Sequence, residues 1–389
     1  MHFEHYDNER LKAQLSGERF TVTYELTGTE AECRTIANEI CVEQSIEFPV
    51  AATPAGDIID QIVGRIEEFT QTAENTWRAD ISFAVENTAG EFTQFLNVLM
   101  GNFSIKLNAR IIDLQLSPSV LALTKGPRFG IDGIRELVGE PELPLLMTAL
   151  KPMGMAPSDL GELAYTFAAN GLQVIKDDHG LSDQVYAPFE DRVKACCEGV
   201  KRAYEETGNR CLYVPNVTGP AEVLRDRARF AVEQGAGGIM VAPGLIGLDM
   251  MRSLAEDDAI GVPVFSHPAF GGCYYINRQT FSIEMFNGLI TRLAGADAVI
   301  FPNYGGRFAF TKEECLGIAR EGKRDLGGMK TLFPCPSGGM QIDRIGDMLE
   351  TYSHDIMLLI GGGLFTYGPD LAENCRAFRD AMYRACGRE

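Results

Sequence analysis

The amino-acid sequence predicts an α/β protein with two domains: a ferredoxin-like α+β domain over residues 1–127 and a (β/α)8 TIM barrel over residues 128–389. Three observations lead to this prediction. Strand and helix patterns follow one another in mixed order in the first part of the chain. From residue 143 onwards, eight continuous apolar segments alternate with helical patterns, as in a barrel whose strands are buried on both faces. Polar and glycine residues repeatedly follow these segments, at the strand ends where such a barrel carries its active site.

In the first domain, alternating apolar residues predict strands, and a 3.6-residue period predicts helices. The predicted strands are 20–26, 77–85 and 110–116, and the predicted helices are 30–41, which Thr29 opens, and 91–99, which Gly101 and Asn102 end. This mixed order is typical of an antiparallel sheet with helices on one face. A short link at residues 125–127 leads into the barrel.

The second domain contains eight apolar segments that are short enough to be buried strands. They cover residues 145–150, 172–175, 212–214, 238–242, 262–266, 297–301, 331–334 and 356–360. Helical patterns lie between most of them, at 158–169, 191–206, 221–234, 283–293, 312–321 and 342–352, and a closing helix is predicted at 370–384. An open doubly wound sheet is the alternative, but that architecture usually has fewer strands.

Composition excludes several classes of partner. The formal net charge is −19, which argues against nucleic acid and anionic membranes because basic surfaces bind both. No segment approaches the roughly 20 apolar residues that cross a bilayer, and residues 1–17 are too polar for a secretory signal. The ten cysteines form no C-x-x-C pair, so we expect reduced thiols in a cytoplasmic protein and no zinc site.

Charged residues and histidines follow several of the predicted strands. They are Lys151 after the first strand, Lys176, Asp177, Asp178 and His179 after the second, and His267 after the fifth. Because side chains alternate along an extended strand, Lys176 and Asp178 point the same way. Such a pair suits a cation or a phosphorylated substrate, and a salt bridge without further function is the alternative.

Glycine clusters end the seventh and eighth predicted strands, which is the usual phosphate position in this architecture. The residues are Ser337, Gly338 and Gly339 in one cluster and Gly361, Gly362 and Gly363 in the other. Glycine lets backbone N–H groups approach an anion closely. A tight turn is the alternative for either cluster alone, but the pair of clusters favours phosphate.

Taken together, these motifs resemble the RuBisCO superfamily over nearly the whole chain. The best-matching segments are 148–152, 171–178, 336–339 and 361–363 in the barrel, and 41–45 and 101–102 in the first domain. The resemblance implies that Lys176 reacts with CO2 to form a carbamate. The carbamate and Asp178 would then ligate Mg²⁺ through the hard oxygen ligands that this ion prefers.

The same resemblance implies further roles. Lys151 would handle protons at the enolising carbon, and His267 would face the substrate. The expected substrate and phosphate contacts are Ser337, Gly338, Gly339, Gly362 and Gly363. A homodimer is implied, in which Glu43 and Asn102 complete the partner subunit's site.

Several positions depart from the pattern of a true carboxylase. His179 stands where the third metal ligand is a glutamate, and because imidazole suits Mg²⁺ poorly we expect His179 to be a distorted ligand or a general base. Met153 replaces a second lysine, and Pro268 replaces an arginine that would hold a second phosphate. The loop after the sixth strand, 303–308, contains no lysine. These losses argue against CO2 fixation on a bisphosphate and favour a monophosphorylated substrate.

The resemblance is therefore to the RuBisCO-like proteins, the form IV branch. We expect a Mg²⁺-dependent enzyme that forms an enediolate from a monophosphorylated ketose or 3-oxo sugar acid and then acts as a carboxy-lyase or cleaves a C–C bond. An enolase or isomerase of a methylthioribulose-phosphate substrate is the alternative. A non-catalytic sugar-phosphate-binding protein is a further alternative, but the retention of both Lys151 and Lys176 argues against it.

Overall fold

The structure is a computed structural model that describes residues 14–54, 56–276, 279–306 and 308–388. The chain divides into two compact units. One comprises Met1–Thr124 and Cys273–Phe286, and the other comprises Lys125–Gly272 and Asn287–Glu389. The first unit thus includes a short segment from later in the chain. The two predicted domains, by contrast, are each continuous in sequence and divide at residue 127.

The strands are numbered along the chain. They are β1 (Arg19–Thr27), β2 (Arg65–Ala73), β3 (Thr76–Ala84), β4 (Ala109–Gln115), β5 (Leu145–Leu150), β6 (Val174–Asp177), β7 (Leu212–Val214), β8 (Ile239–Val241), β9 (Val264–Ser266), β10 (Thr280–Phe281), β11 (Ala298–Pro302), β12 (Phe333–Ser337) and β13 (Met357–Ile360).

The α-helices are numbered in the same way. They are α1 (Glu30–Glu43), α2 (Phe92–Met100), α3 (Pro118–Leu121), α4 (Gly130–Val138), α5 (Pro157–Ala169), α6 (Phe189–Thr207), α7 (Ala221–Glu233), α8 (Pro243–Ile246), α9 (Leu248–Ala255), α10 (Gly272–Tyr275), α11 (Thr291–Leu293), α12 (Lys312–Lys323), α13 (Ile345–Tyr352), α14 (Gly362–Thr366) and α15 (Leu371–Ala385).

The first unit is built on a five-stranded sheet with the order β10-β4-β1-β3-β2. β1 is antiparallel to both β3 and β4, and β2 is antiparallel to β3, whereas the two-residue β10 is parallel to β4. The three predicted strands and their antiparallel pairing are confirmed. β2 was not predicted, because its residues are exposed or half-buried and show no alternating burial.

Local interactions explain how α1 and α2 join this sheet. Thr29 begins α1 as predicted, since its hydroxyl accepts from the Glu32 N–H while the Glu32 carboxylate accepts from the Thr29 N–H. On β1, the buried Tyr24 donates its hydroxyl to the carbonyl of Leu99 at 2.7 Å, which ties α2 to the sheet. The Tyr24 hydroxyl therefore has a hydrogen-bond acceptor near the end of α2, while the ring stays buried in the core.

The second unit contains eight parallel strands in the order β7-β6-β5-β13-β12-β11-β9-β8. The two strands at the ends of this order meet through a parallel bridge between Asn216 and Met240. The Val217 N–H donates to the Met240 carbonyl at 3.0 Å, and the Met240 N–H donates to the Pro215 carbonyl at 2.9 Å. The predicted (β/α)8 barrel is therefore confirmed, with strand bounds that differ from the predicted ones by a few residues.

Apolar side chains on the inward face of the strands fill the barrel. The buried cluster includes Leu145, Met147, Val174, Leu212, Val214, Met240, Phe265, Ala298, Ile300, Phe333, Cys335, Met357 and Leu359, together with Ile131, Ile134 and Val138 of α4. Because side chains alternate along a strand, the next inward positions after Val174 and Cys335 are Lys176 and Ser337. The apolar core thus ends where the candidate site residues begin.

Two further findings concern helices. The predicted helix is confirmed, because residues 283–293 are helical throughout, with a π-helical segment, Met285–Ile290, followed by the short α11. Among the described residues, none of the helices is both long and apolar enough to span a bilayer.

Candidate active site

Successive side chains at the end of β6 point to opposite sides of the barrel wall. Lys176 lies on the inward face, two residues beyond the core residue Val174, and its side chain is buried. Asp177 points the other way, towards α6, where Arg192 contacts it. Asp178 follows on the inward side. The charged run seen in the sequence therefore belongs to two different environments.

Asp178 is the centre of the inward cluster. Its Oδ2 pairs with Lys151 Nζ at 2.5 Å, and its Oδ1 accepts from the His179 backbone N–H at 3.0 Å and lies 3.2 Å from His179 Nδ1. Burial by itself would raise the pKa of Asp178. Hydrogen bonds from His179 and Lys151, together with the charges of Lys151 and Lys176, outweigh burial and hold that pKa well below its usual range. Asp178 is therefore ionised, and both of its oxygens are engaged within the chain.

Lys176 differs from Lys151 in having no directly bonded carboxylate among the residues that the structure describes. Its side chain is almost entirely buried, and Nζ donates to the Asp177 carbonyl oxygen at 3.0 Å. Burial lowers the pKa of Lys176 to about 8, and the charge of Lys151 acts in the same direction while attraction to Asp178 opposes it. A lysine with such a pKa is partly neutral at physiological pH, as a nucleophilic amine must be.

The imidazole rings of His179 and His267 stack on each other. Their centroids are 4.6 Å apart and their planes are inclined by 14°. His179 follows β6 and His267 follows β9, two strands that are not neighbours in the sheet order, so the rings meet at the barrel mouth. Burial, and then the charge of Lys176, lowers the pKa of His267 well below its ordinary value. The His267 ring is therefore neutral near pH 7.

Hydrogen bonds select different tautomers for the two rings. Nδ1 of His267 accepts from the Ala269 N–H at 3.1 Å, so the proton of the neutral ring is on Nε2. Nδ1 of His179 faces the Asp178 carboxylate, which is only an acceptor, so Nδ1 carries a proton and Nε2 of the neutral ring has the lone pair. The stacked rings thus present one Nε2 donor and one Nε2 acceptor.

Asp177 is fully buried and receives three hydrogen bonds. Its carboxylate accepts from Arg192 Nε at 3.1 Å, from the Tyr213 hydroxyl at 2.8 Å and from the Asn216 backbone N–H at 3.0 Å. Burial raises the pKa of Asp177, whereas the charge of Arg192 opposes this increase. Sequence analysis assigned Asp177 no separate role, although strand alternation was a signal that could have distinguished it from Lys176.

The partners of Asp177 also hold the loop that carries His179. Asn216 Nδ2 donates to the His179 carbonyl at 3.0 Å and to the Leu181 carbonyl at 2.9 Å. Arg192, whose side chain is also buried, donates to two more carbonyls of the same loop at 2.8 Å each. This network fixes the backbone of His179 from the outer side of the barrel, and it explains why a rigid pair of rings forms on the inner side.

The glycine residues after β12 adopt conformations that other residues avoid. Gly338 and Gly339 have φ angles of +85° and +66°, in the left-handed region that favours glycine. The preceding Ser337 donates its hydroxyl to the Phe301 carbonyl at 3.0 Å, which joins β12 to β11. The predicted phosphate residues of this cluster therefore lie on one tightly turned segment.

The cluster after β13 packs against that segment. A Cβ atom on Gly363 would collide with the carbonyl oxygen of Met340, whereas a Cβ on Gly362 would face open space. The two predicted phosphate clusters therefore lie next to each other. The backbone at Gly363 packs directly against the backbone that follows Gly339, with no side chain between them.

In the first unit, the two predicted substrate contacts also meet. Glu43 is the last residue of α1, and Asn102 follows α2 by two residues. Asn102 Nδ2 donates to Glu43 Oε1 at 3.0 Å, so the exposed carboxylate and amide form one polar patch. The patch is a property of the first unit alone.

The donor set does not fit magnesium as the side chains stand. Among the residues that the structure describes, there is no group of three or more His, Cys, Asp or Glu side chains placed to hold a metal ion. Both Asp178 oxygens already accept hydrogen bonds, and His179 offers nitrogen where Mg²⁺ prefers oxygen. A carbamate on Lys176 would add the missing oxygen ligands.

Comparison with known proteins gives consistent matches. Residues 130–386 match the family described as ribulose bisphosphate carboxylase large chain, catalytic domain. The chain is 38% identical over 361 residues to ribulose bisphosphate carboxylase-like protein 1 of Rhodopseudomonas palustris, covering 93% of this chain and 96% of that protein. It is 35% identical over 375 residues to the 5-methylthioribulose-1-phosphate isomerase of Rhodospirillum rubrum, covering 95% of this chain and 99% of that protein.

A solved structure agrees with these matches. The crystal structure of a Rubisco-like protein from Rhodopseudomonas palustris superposes with a TM-score of 0.86 at 33% sequence identity, covering 95% of this chain and 99% of that chain. The similarity therefore extends over both units and is not confined to the barrel.

Proposed function

The chain belongs to the ribulose bisphosphate carboxylase large-chain (RuBisCO) family, and we propose that it is an enzyme that forms an enediolate from a monophosphorylated ketose. The first substrate to consider is 5-methylthioribulose 1-phosphate, because the relative from Rhodospirillum rubrum that matches nearly end to end is named as its isomerase. In this proposal the carbon next to a carbonyl loses a proton, and the enediolate regains it at another carbon.

The observation that carries the proposal is the stacked pair of histidines with opposite tautomers. An enediolate forms when a base takes a proton from carbon while a donor stabilises the charge that develops on the carbonyl oxygen. Nε2 of His179 has the lone pair for the first task, and Nε2–H of His267 is the donor for the second. Both atoms belong to rings in direct contact, so one substrate can reach them together.

Each proton has a defined course in this scheme. The C–H bond breaks, its electron pair forms the C=C bond of the enediolate, and the proton passes to His179 Nε2. The carbonyl oxygen takes the negative charge and is held by His267 Nε2–H and by the ammonium of Lys151. The hydroxyl proton on the carbon that lost its hydrogen then moves to the former carbonyl oxygen, and His179 returns its proton to the former carbonyl carbon. This gives the isomer, so no oxidant or reductant is needed.

The ion pair between Lys151 and Asp178 supports this chemistry. Asp178 holds His179 in the tautomer that leaves Nε2 free, and it holds the Lys151 ammonium beside the same ring. The carboxylate therefore acts through its two neighbours and remains ionised throughout.

A single phosphate is the part of the substrate that the glycine clusters would hold. Ser337, Gly338, Gly339, Gly362 and Gly363 offer backbone N–H groups and one hydroxyl, and glycine allows close approach of an anion. Pro268 follows His267 where a carboxylase would carry an arginine for a second phosphate. This contrast supports a monophosphate over a bisphosphate.

The proposal extends to a metal only through modification of Lys176. The buried amine would react with CO2 to give a carbamate, and the carbamate, Asp178 and His179 would hold Mg²⁺. Magnesium bound there would supply positive charge for the enediolate oxygens. A metal-bound His179 would use the lone pair of Nε2, so the proton transfer to His179 described above belongs to the metal-free site.

Assembly and location are also part of the proposal. We propose a homodimer in which Glu43 and Asn102, which are hydrogen bonded to each other, complete the partner subunit's site. All ten cysteines are free thiols, and this is compatible with the proposed cytoplasmic location.

A second candidate function is decarboxylation or C–C cleavage of a phosphorylated 3-oxo sugar acid, through the same enediolate. The observation in its favour is His179 itself, because it replaces the metal-binding glutamate of a carboxylase. Loss of CO2 from a 3-oxo acid needs a cation beside the carbonyl oxygen and no base at carbon, which Lys151 would satisfy.

A product assay tests these proposals. The purified chain is incubated with 5-methylthioribulose 1-phosphate and, separately, with a phosphorylated 3-oxo sugar acid, and ³¹P NMR and CO2 release are followed. A new phosphorylated sugar without CO2 supports the isomerase, whereas CO2 release supports the lyase. Tight binding of both compounds without any product would contradict both and support a sugar-phosphate-binding protein.

A further inference from the structure

The loop that follows β11 is fastened to α13 by its first two side chains. This loop, Asn303 to Gly306, is called the β11 loop below. Its Tyr304 hydroxyl lies 3.0 Å from Asp347 Oδ2 and 2.9 Å from Thr351 Oγ1. Asp347 and Thr351 lie one turn apart on α13, so the two bonds hold the Tyr304 hydroxyl between them.

Asn303 anchors the start of the same loop. Its Oδ1 accepts from the Tyr352 hydroxyl at 2.7 Å, and its backbone N–H donates to the Ser337 carbonyl at 2.8 Å. Asn303 and Tyr352 are both buried. A buried hydrogen bond of this kind is costly to open, so the base of the loop is rigid.

Arg344, just before α13, joins the β11 loop to the glycine segment after β12. Its Nη1 donates to the Gly339 carbonyl at 3.4 Å, and its Nη2 donates to the Tyr304 carbonyl at 3.2 Å. The guanidinium also lies 5.4 Å from the centre of the Tyr304 ring and 3.6 Å from Asp347 Oδ2. One cation therefore contacts both loops, and it is oriented by a carboxylate and an aromatic ring.

The two loops also touch through their backbones. A Cβ on Gly306 would lie 3.1 Å from the Gly338 carbonyl oxygen, and a Cβ on Gly339 would lie 3.1 Å from the Gly306 Cα. At these separations, a methyl group on either glycine would require the opposite loop to shift by a few tenths of an ångström. A shift of the β11 loop would therefore displace Gly338 and Gly339.

We propose that Arg344 is a positioning residue for the phosphate site, which holds the β11 loop against Gly338 and Gly339 in the absence of ligand. This inference rests on the proposed function, since it takes the two glycines to be phosphate contacts. The β11 loop then forms one wall of the phosphate site in the absence of ligand. The class of ligand is a phosphate monoester.

The geometry of a peptide unit explains how Arg344 would act. In a planar trans peptide, the carbonyl and the N–H of the next residue point in opposite directions. Because Arg344 donates to the Gly339 carbonyl, the N–H of the next residue, Met340, points away from Arg344. Arg344 also donates to the Tyr304 carbonyl, so the Gly305 N–H is oriented in the same way. The fork of a guanidinium can hold two carbonyls at once, which the point charge of a lysine does less well.

Three full-length variants test the proposal. Arg344→Gln removes the cation and the fork, and Arg344→Lys keeps the charge but loses the fork. Arg320→Gln is the matched control, because this arginine on α12 is exposed and, within the part of the chain that the structure describes, pairs only with its neighbour Glu321. Melting temperature is recorded for each variant, and Arg344→Lys serves as the folded variant if Arg344→Gln is unstable.

The first readout is amide hydrogen exchange without ligand. We expect peptides that contain the β11 loop and residues 338–341 to exchange about tenfold faster in both Arg344 variants than in the wild type, and at the wild-type rate in Arg320→Gln. Unchanged exchange in both Arg344 variants would overturn the proposal.

The second readout is ligand binding. We expect the dissociation constant of inorganic phosphate, and the KM for 5-methylthioribulose 1-phosphate, to rise about tenfold in both Arg344 variants while kcat stays within about twofold. Full recovery of phosphate binding by Arg344→Lys would mean that charge alone matters, and this would overturn the positioning role. A fall in kcat with unchanged KM would overturn it as well.

The two readouts separate this proposal from the proposed function. If no sugar phosphate is turned over, weaker phosphate binding together with faster exchange in the Arg344 variants still supports the positioning role, while the enzyme proposal fails. If the wild type binds no inorganic phosphate, the positioning role fails whatever the activity.

Discussion

The barrel mouth has two halves that are built in different ways. The charged half follows β5, β6 and β9 and consists of Lys151, Lys176, Asp178, His179 and His267. The glycine half follows β11, β12 and β13 and consists of Gly305, Gly306, Gly338, Gly339, Gly362 and Gly363. In the proposed function, side chains of the first half carry the chemistry, and Arg192 and Asn216 hold the backbone of the loop that carries His179 from the outer side. In the second half, the backbone itself would be the binding surface, and Arg344 donates hydrogen bonds to it.

This difference predicts which property of the enzyme a substitution in each half would change. A substitution in the charged half changes which protons and charges are available, so its effect appears in the chemical step. A substitution in the glycine half changes the space between two backbones, so its effect appears in how the substrate is held. The following predictions test that division, in order of decreasing expected effect.

The largest effect is expected from His179→Gln. The side chain is half exposed, so its loss should leave the fold intact, but no base would remain at the position of Nε2. We expect kcat for 5-methylthioribulose 1-phosphate to fall by about 10²- to 10⁴-fold, as when a general base is removed. His354→Gln, at an exposed histidine, is the control. Equal kcat values for the two variants would show that His179 is not the base.

The next largest effect concerns the support behind the charged half. Arg192→Met leaves the buried Asp177 carboxylate without its cationic partner, and breaking such a pair costs about 3–5 kcal/mol. Urea unfolding should show this loss in the free energy of unfolding. Arg202→Met on the same helix removes an exposed pair with Glu162 and should cost no more than about 1 kcal/mol. Similar costs for both variants would contradict the account.

In the glycine half, Gly363→Ala introduces a methyl group that collides with the Met340 carbonyl. The two predicted phosphate clusters would have to separate, and we expect kcat/KM to fall about 10- to 100-fold. Gly346→Ala on α13 is the matched control, since its Cβ would meet nothing within 4 Å. A wild-type kcat/KM for Gly363→Ala would show that contact between the clusters is not required.

The smallest effect concerns the titration of Lys176. Its pKa of about 8 lies below the ordinary lysine value, so the neutral amine rises from about one tenth at pH 7 to about one half at pH 8. At constant dissolved CO2, the carbamate signal from ¹³C-labelled CO2 should therefore appear at an initial rate about fivefold higher at pH 8 than at pH 7. Lys176→Arg should lack the signal. A wild-type spectrum without carbamate at either pH would remove the proposed magnesium ligand.

The same pKa has a consequence for stability. Because folding lowers the pKa of Lys176, the unfolded chain binds more protons between pH 8 and the ordinary lysine value. The contribution of Lys176 therefore makes the folded state more stable as pH rises through that window, and Lys176→Met should reduce this dependence in urea unfolding.

Sequence analysis predicted the architecture well, because buried parallel strands leave continuous apolar segments and the strand ends follow from them. Lys151, Lys176, Asp178 and His267 could be identified as site candidates for that reason. The sequence did not predict β2, since an exposed strand carries no burial pattern. It placed a helix correctly at 283–293, but it did not predict that the middle of this helix, Met285–Ile290, is π-helical.

The remaining features depend on contacts between distant residues. His179 and His267 lie on loops that follow two strands that are not neighbours. The order of the strands alone does not determine whether the two rings stack on each other. Asp177 finds Arg192 on α6 and Tyr213 on β7, and Arg344 finds Gly339 and Tyr304 on separate loops. Periodicity indicates which face a side chain occupies, but it does not identify the partner on that face.

The most direct test of the central claim is hydrogen exchange at the substrate carbon. 5-Methylthioribulose 1-phosphate is incubated with the wild type in D2O, and the ¹H signals of the hydrogens next to the carbonyl are followed by NMR. The account predicts that the wild type replaces such a hydrogen by deuterium and that His179→Gln does so at least about 10²-fold more slowly. Binding of the sugar phosphate by the wild type without any exchange would contradict enediolate formation at this site.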